Sequence, residues 1–124
     1  MIFGGLYQGK LAYALERFSL AETDIYFCND GNIAMPKGKK AVYEIDRWIL
    51  ALVRADADVT INIAQFADIN QNAVVICNDV SCGVVPVDGV LRKWREETGR
   101  AMGTLAQRSD EVIRLFCGIP SRVK

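Results

Sequence analysis

The sequence contains no histidine. Without an imidazole the chain supplies no histidine base, no histidine nucleophile and no histidine-ligated metal, which removes a large part of enzyme chemistry by inspection. An excess of one charge is lacking too: 15 Lys and Arg face 15 Asp and Glu over 124 residues. A neutral chain presents no broad field to nucleic acid or to an anionic membrane, so neither is expected as a partner and any anion site must be local. No apolar run approaches the roughly 20 residues of a membrane span, and residues 1–5 lack the basic start and long apolar stretch of a secretion signal. A cytoplasmic protein is expected. Cysteine is scarce, with Cys28, Cys77, Cys82 and Cys117 and no CxxC pair, so buried reduced thiols are expected rather than a disulfide framework or a Cys-only metal site.

What is present is apolar: 51% of residues are hydrophobic. One domain over residues 1–124 should bury roughly two thirds of its unfolded surface, a real core without staples. Residues 1–3 read as a strand that runs into glycines and then a helix from Lys10 to Phe18. Residues 24–28 read as a second strand, stopped by Asn29, Asp30, Gly31 and Asn32. A polar connection through Pro36, Lys37, Gly38, Lys39 and Lys40 follows. From 41 to 55, Val42, Ile45, Trp48, Ile49, Leu52 and Val53 recur every three or four positions, which predicts an amphipathic helix. Residues 59–69 mix β-branched residues with Ala64, Phe66 and Ala67 and are read as helix. The unbroken run 73–77 has the pattern of a strand buried on both faces of a parallel sheet. A long helix is expected from Asp88 to Ala106, although Gly99 and Gly103 weaken it. A last strand, 111–117, is stopped by Gly118, Ile119 and Pro120. Strands alternating with helices indicate an α/β domain with a mainly parallel sheet. Trp48 and Trp94 are expected in the core, and Arg92, Lys93, Arg95 and Arg100 on a solvated helix face.

Two features could carry chemistry. Gly4, Gly5, Leu6, Tyr7, Gln8, Gly9, Lys10 and Leu11 match the first seven positions of GxxxxGK[ST], between a strand and a helix as that motif requires. In a phosphate-binding loop the glycines let the backbone wrap the anion, amides at the helix start point at it, and Lys10 reaches the terminal phosphates. Leu11 breaks the eighth position, since it has no hydroxyl for Mg²⁺. The competing reading is a glycine turn feeding a surface helix with a solvated lysine. The second feature is Asp79, after the buried strand, where parallel sheets place ligand-facing residues. It has the outline of a Walker B acid that would hold Mg²⁺, directly or through water, or orient a nucleophile; the alternative is an Asp capping the next loop.

The run Asn78, Asp79, Val80, Ser81, Cys82, Gly83, Val84, Val85, Pro86 resembles the Asn-Glu-Val-Gly-x-Gly-Ile-Val-Pro motif of the adenosylcobinamide kinase and adenosylcobinamide-phosphate guanylyltransferase family of cobalamin biosynthesis. Gly99-Arg100, Leu105-Ala106, Asp110-Glu111-Val112 and Gly118-Ile119-Pro120 continue the likeness, and the 4–10 loop is similar too. The likeness covers about the first 20 and the last 50 residues, while the middle does not align by eye. It implies a P-loop NTPase-like three-layer domain, shortened in the middle, that assembles as a homo-oligomer. It implies ATP or GTP with Mg²⁺ as cofactors, phosphorylation of the adenosylcobinamide hydroxyl, and then GMP transfer through a guanylylated histidine. With no histidine, that second step cannot run on these residues. Leu11 replaces the hydroxyl, Asp79 shortens the family Glu, Ser81 replaces a Gly, and Met102-Gly103 stand where Asn-Gln is common.

Three functions are thus open: a cobinamide-type kinase using Lys10 and Asp79, with residues 4–11 on the nucleotide; a non-catalytic nucleotide- or corrinoid-binding subunit for regulation or assembly; or a scaffold that has lost nucleotide affinity. The first is the expectation carried forward.

Overall fold

The computed structural model describes residues 1–80 and 87–124. Ser81, Cys82, Gly83, Val84, Val85 and Pro86, most of the motif that carries the resemblance, lie outside the described residues. The elements are β1 (Ile2–Gly4), α1 (Lys10–Arg17), β2 (Ile25–Phe27), β3 (Ala41–Tyr43), α2 (Ile45–Arg54), α3 (Val59–Ile69), β4 (Val74–Asn78), α4 (Gly89–Arg108), β5 (Ile113–Phe116) and β6 (Ile119–Arg122). The strands form one sheet in the order β2-β3-β4-β1-β5-β6, parallel except for β6, which pairs antiparallel with β5.

Helices cover both faces, giving three layers. On one face α1 sets Ala14 into a small cluster with Ile2, Ile76, Ile113 and Leu115. On the other, α2, α3 and α4 pack over Val42, Val75 and Cys77, with Trp48, Ile49, Leu52, Ile63 and Phe66 at the centre. Trp48 and Phe66 are almost fully buried and their rings are 5.6 Å apart; each such side chain contributes roughly 1.5–3 kcal/mol by leaving water. The α/β, mainly parallel architecture is the one expected.

Local details depart from expectation where one pattern serves two elements. The run 41–55 is not one helix: β3 takes residues 41–43, pairing with both β2 and β4, and α2 starts at Ile45. Ala41 and Val42 are both fully buried, one on each face of the sheet, and that short apolar run falls in phase with the helical spacing that follows. The 59–69 ambiguity resolves as helix because Asp58 caps it, accepting the Ile61 N–H at 3.0 Å, and because Val59, Ile63 and Phe66 fall on one buried face. Gly118 does not end the last strand element but turns it: Cys117 (φ 52°) and Gly118 (φ 73°) are both left-handed, the geometry of a two-residue hairpin, and β6 follows. Cys117 is therefore exposed, whereas Cys28 and Cys77 are buried free thiols as expected. Trp94 is partly buried rather than central, and Arg100 pairs with Glu96 and Glu97 on a solvated helix face. Among the described residues no helix is long and apolar enough to cross a membrane.

The topology fixes where a ligand would sit. From β1 the chain leaves through α1 toward β2, on one side of the sheet; from β4 it leaves through α4 toward β5, on the other. Neighbouring strands whose connections diverge open a crevice at their C-terminal ends. Here those ends are Gly4 and Asn78, register partners in the sheet.

Candidate functional site

The crevice between β1 and β4 is flanked by the connections that follow β1 and β3 and by the first residue after β4. The first is the turn of residues 5–9. Gly4 passes so close to β5 that a side chain there would collide with the carbonyl oxygen of Leu115. Gly9 is left-handed (φ 83°) and caps α1 without a side-chain bond. Gln8 anchors the turn to the β5–β6 hairpin, its Oε1 accepting the Cys117 N–H at 2.5 Å. Leu6 and Tyr7 project into solvent, Tyr7 almost completely. The N–H groups of Leu6, Tyr7 and Gly9 have no hydrogen-bond acceptor among the described residues, so this stretch and the helix start beside it offer donors to an anion.

Lys10 does not trail into solvent as the plain-turn reading would have it. It is 4% exposed, and its Nζ donates to the Gly5 carbonyl at 2.5 Å, so the ammonium lies folded back against the turn. Burial pulls its pKa below the ordinary lysine value, opposed first by the charge of Asp46 and then by Cys77 and Glu44. Leu11 is partly buried and packs against the Ile2–Ala14 cluster, so its side chain belongs to the core rather than to the crevice.

The second connection is Glu44 alone, between β3 and α2, in the left-handed conformation (φ 58°, ψ 53°). Its Oε2 accepts Asn78 Nδ2 at 3.0 Å and Arg47 Nε at 3.3 Å. Two residues on, in the first turn of α2, Asp46 is 3% exposed. Its Oδ1 accepts the Asn78 N–H at 2.9 Å, its Oδ2 accepts Asn78 Nδ2 at 3.2 Å, and its own carbonyl accepts Trp94 Nε1 at 2.7 Å. Burial raises the Asp46 carboxyl above the usual range, against the stabilising bonds from Asn78. The third connection begins with Asp79, partly buried, whose N–H donates to the Gly4 carbonyl at 2.8 Å and so ties the end of β4 to the mouth of the first turn.

The crevice thus gathers Lys10, the 4–11 turn and Asp79, all singled out from sequence, and adds Glu44, Asp46 and Asn78. Glu44 and Asp46 are the residues sequence reasoning missed. The available signal was an acid directly after the short apolar run 41–43, but the helical spacing of Val42, Ile45 and Trp48 hid the strand end. A separate cleft of about 590 Å³ opens at the opposite, N-terminal end of the strands, near Met1, Asn70, Val74, Arg108 and Glu111; it shares none of these groups. Among the described residues no group of three or more Cys, Asp or Glu side chains is arranged to hold a metal ion.

A glycine turn leading from the first strand into a helix, a buried lysine at that helix start and an acid after the adjacent parallel strand place the chain among P-loop-like three-layer α/β domains. More particularly, it belongs to the family described as cobinamide kinase / cobinamide phosphate guanyltransferase, whose sequence model matches residues 38–123. That match takes in β3, α2 and α3, where no likeness is visible by eye, and with them Glu44, Asp46, Asn78 and Asp79; it begins after the 4–11 turn. No curated protein gives a significant match.

Proposed function

We propose that the chain is a nucleotide-dependent kinase of the cobinamide type, with ATP or GTP held by Gly4, Gly5, Leu6, Tyr7, Gln8, Gly9, Lys10 and Leu11 through their backbone. The observation that carries this reading is Lys10: a lysine folded back against the glycine turn, beside N–H groups with no acceptor among the described residues, suits a phosphate better than it suits a surface turn. In the proposed reaction Lys10 exchanges the Gly5 carbonyl for a phosphate oxygen and stabilises charge on the transferring group. Glu44 orients the acceptor hydroxyl. Asp79 would hold Mg²⁺ through water in this reading, and the metal would supply charge neutralisation for the phosphates. The donor set fits this metal only in part, because Leu11 has no hydroxyl and packs into the core. Guanylyl transfer through a histidine has no residue to carry it. Cobinamide is the proposed acceptor, and a homo-oligomer the proposed assembly.

The absent hydroxyl is also the specific observation behind a second reading, a subunit that binds nucleotide without turnover. Calorimetric titration of ATP and GTP, with and without Mg²⁺, tests both. Micromolar binding strengthened by Mg²⁺, and weakened at least about tenfold by Lys10→Ala, is the expected result, since a charge-assisted bond is worth about 1.5–3 kcal/mol. No binding by the wild type, or no effect of Lys10→Ala, overturns the phosphate-loop reading. Phosphorylation of cobinamide then separates the kinase from the silent binder.

A further inference from the structure

Strand β4 outlasts its partner on one side. Its ladder with β3 ends at Val42 and Val75, whereas that with β1 runs on to Gly4 and Asn78. Asn78 is 3% exposed, so its N–H needs an acceptor that β3 no longer supplies, and Asp46 Oδ1 takes it at 2.9 Å. With its backbone fixed on both sides, Asn78 then spans two acids with one side chain: Nδ2 lies 3.0 Å from Glu44 Oε2 and 3.2 Å from Asp46 Oδ2. An amide nitrogen carries two hydrogens and can give one to each. A lysine or arginine in its place would neutralise the pair; the amide holds both carboxylates and leaves them their charge. The other fastening of Glu44 is Arg47 at 3.3 Å, whose side chain is about half exposed, so the bond from buried Asn78 is the one shielded from water and salt. Glu44 Oε1 has no partner among the described residues.

We propose that Asn78 is a positioning residue for Glu44: braced by Asp46, its side-chain amide holds Glu44 Oε2 and leaves Oε1 to accept the hydrogen of an acceptor hydroxyl in the crevice. The role in orienting a hydroxyl rests on the kinase reading above; the clamp itself does not. Asp46 is too deeply buried to meet a substrate and serves as the brace, itself fixed by Trp94, which donates to its carbonyl at 2.7 Å. Held at one oxygen, Glu44 gives up the rotational freedom that a long side chain on a one-residue turn would otherwise keep. Loss of the Asn78 amide should therefore cost rate rather than nucleotide binding, because the bonds of that side chain go to Glu44 and Asp46 and not to the 5–9 turn.

The clamp is tested in the ligand-free full chain by NMR of the Asn78 side-chain amide. In Glu44→Ala, which leaves residue 78 intact, one of its two hydrogens is expected to shift toward the position of a free amide while the other, held by Asp46, stays. If neither hydrogen moves, or both move equally, the proposal is overturned. Urea titrations of Asn78→Ala, Glu44→Ala and the double variant measure the coupling: the midpoint is expected to fall less when Asn78→Ala is made in Glu44→Ala than when it is made in the wild type. Equal falls overturn the proposal. Phosphorylation of cobinamide tests the role. Per folded molecule, Asn78→Ala is expected to lower kcat at least about tenfold, the worth of one charge-assisted bond, and to leave ATP affinity within about threefold of the wild type. A merely structural role would lower the folded fraction and leave kcat per folded molecule unchanged; that result overturns the proposal, as does a loss of ATP affinity that matches the loss of kcat. If the NMR and urea results are as expected while the wild type does not phosphorylate cobinamide, the clamp is supported and the kinase reading alone falls.

Discussion

Two turns carry the chain out of parallel strands at the same end of the sheet, and both include a left-handed residue that is not glycine, but they put it to different use. After β1, residues 5–9 form a turn that bends at Gly9 (φ 83°) and at the exposed Tyr7 (φ 59°), after Gly4, which lies where no side chain fits against Leu115. Its side chains at Leu6 and Tyr7 face solvent, so what it offers is backbone. After β3 a single residue makes the reversal, and it is Glu44 rather than glycine. A left-handed conformation costs a non-glycine residue about 1–2 kcal/mol, and here it places a carboxylate beside Asn78. One turn leaves its left-handed side chain, Tyr7, in solvent and is held in place by Gln8; in the other the left-handed residue sets its carboxylate on Asn78. Strain of this kind collects where function requires a particular group.

The first turn is the easier to break. Gly4→Ala would drive a methyl group into the Leu115 carbonyl and force β1 and β5 apart just beyond the Phe3–Arg114 pair. A loss of about 3 kcal/mol is expected in urea denaturation. A loss under about 1 kcal/mol would show that the close approach of the two strands is adjustable, and the account of Gly4 would fail. Nothing comparable is expected at Gly5, where an added Cβ meets only the flexible Gln8 side chain at 3.8 Å.

The same contrast explains what could be read beforehand. The strand, glycine turn and helix order and the buried run 74–78 carry the mainly parallel α/β architecture in their residue types, so the fold class was legible, while a plain turn and a loop-capping Asp stayed open beside the Lys10 and Asp79 readings. The strand 41–43 was not legible. Its three residues are too few to show a period of their own, and Val42 extends the helical spacing of Ile45, Trp48 and Ile49, so the boundary that exposes Glu44 and Asp46 disappears into one apparent helix. Strand β6 was hidden because Gly118 and Pro120 read as terminators. The glycine instead forms half of a two-residue hairpin turn with Cys117, and the proline sits on the outermost strand, where a missing N–H is tolerated. Asp46 is apparent only in three dimensions, since its partners Asn78 and Trp94 are 32 and 48 residues away.

The second turn yields a sharper test than simple removal, because two substitutions share the loss of the carboxylate and differ in backbone freedom. Glu44→Ala and Glu44→Gly both remove the bonds to Asn78 Nδ2 and Arg47. Only glycine relieves the left-handed conformation, so Glu44→Gly is expected to be more stable than Glu44→Ala by about 1 kcal/mol in matched urea titrations. Both should lose phosphorylation of cobinamide if Glu44 orients the acceptor. Equal stabilities would mean that the chain does not hold residue 44 in the left-handed region, and the contrast between the two turns would dissolve.

The smallest effect concerns glycines that no turn requires. Gly99 and Gly103 lie inside α4, and a Cβ added at either meets nothing within 4 Å. Unlike Gly4 they are held by no close approach, and neither has a positive φ. Glycine in a helix interior is about 0.5–1 kcal/mol less favourable than alanine, because it has more backbone freedom to lose on folding. Gly99→Ala and Gly103→Ala should each stabilise the chain by that amount, raising the midpoint of thermal unfolding by a few degrees, and the two should add because they differ only in local backbone entropy. A destabilisation at either position would mean that the space beside α4 is occupied in solution, and the proposed homo-oligomer would then be the first explanation to test, by comparing the oligomeric state of the variant with that of the wild type.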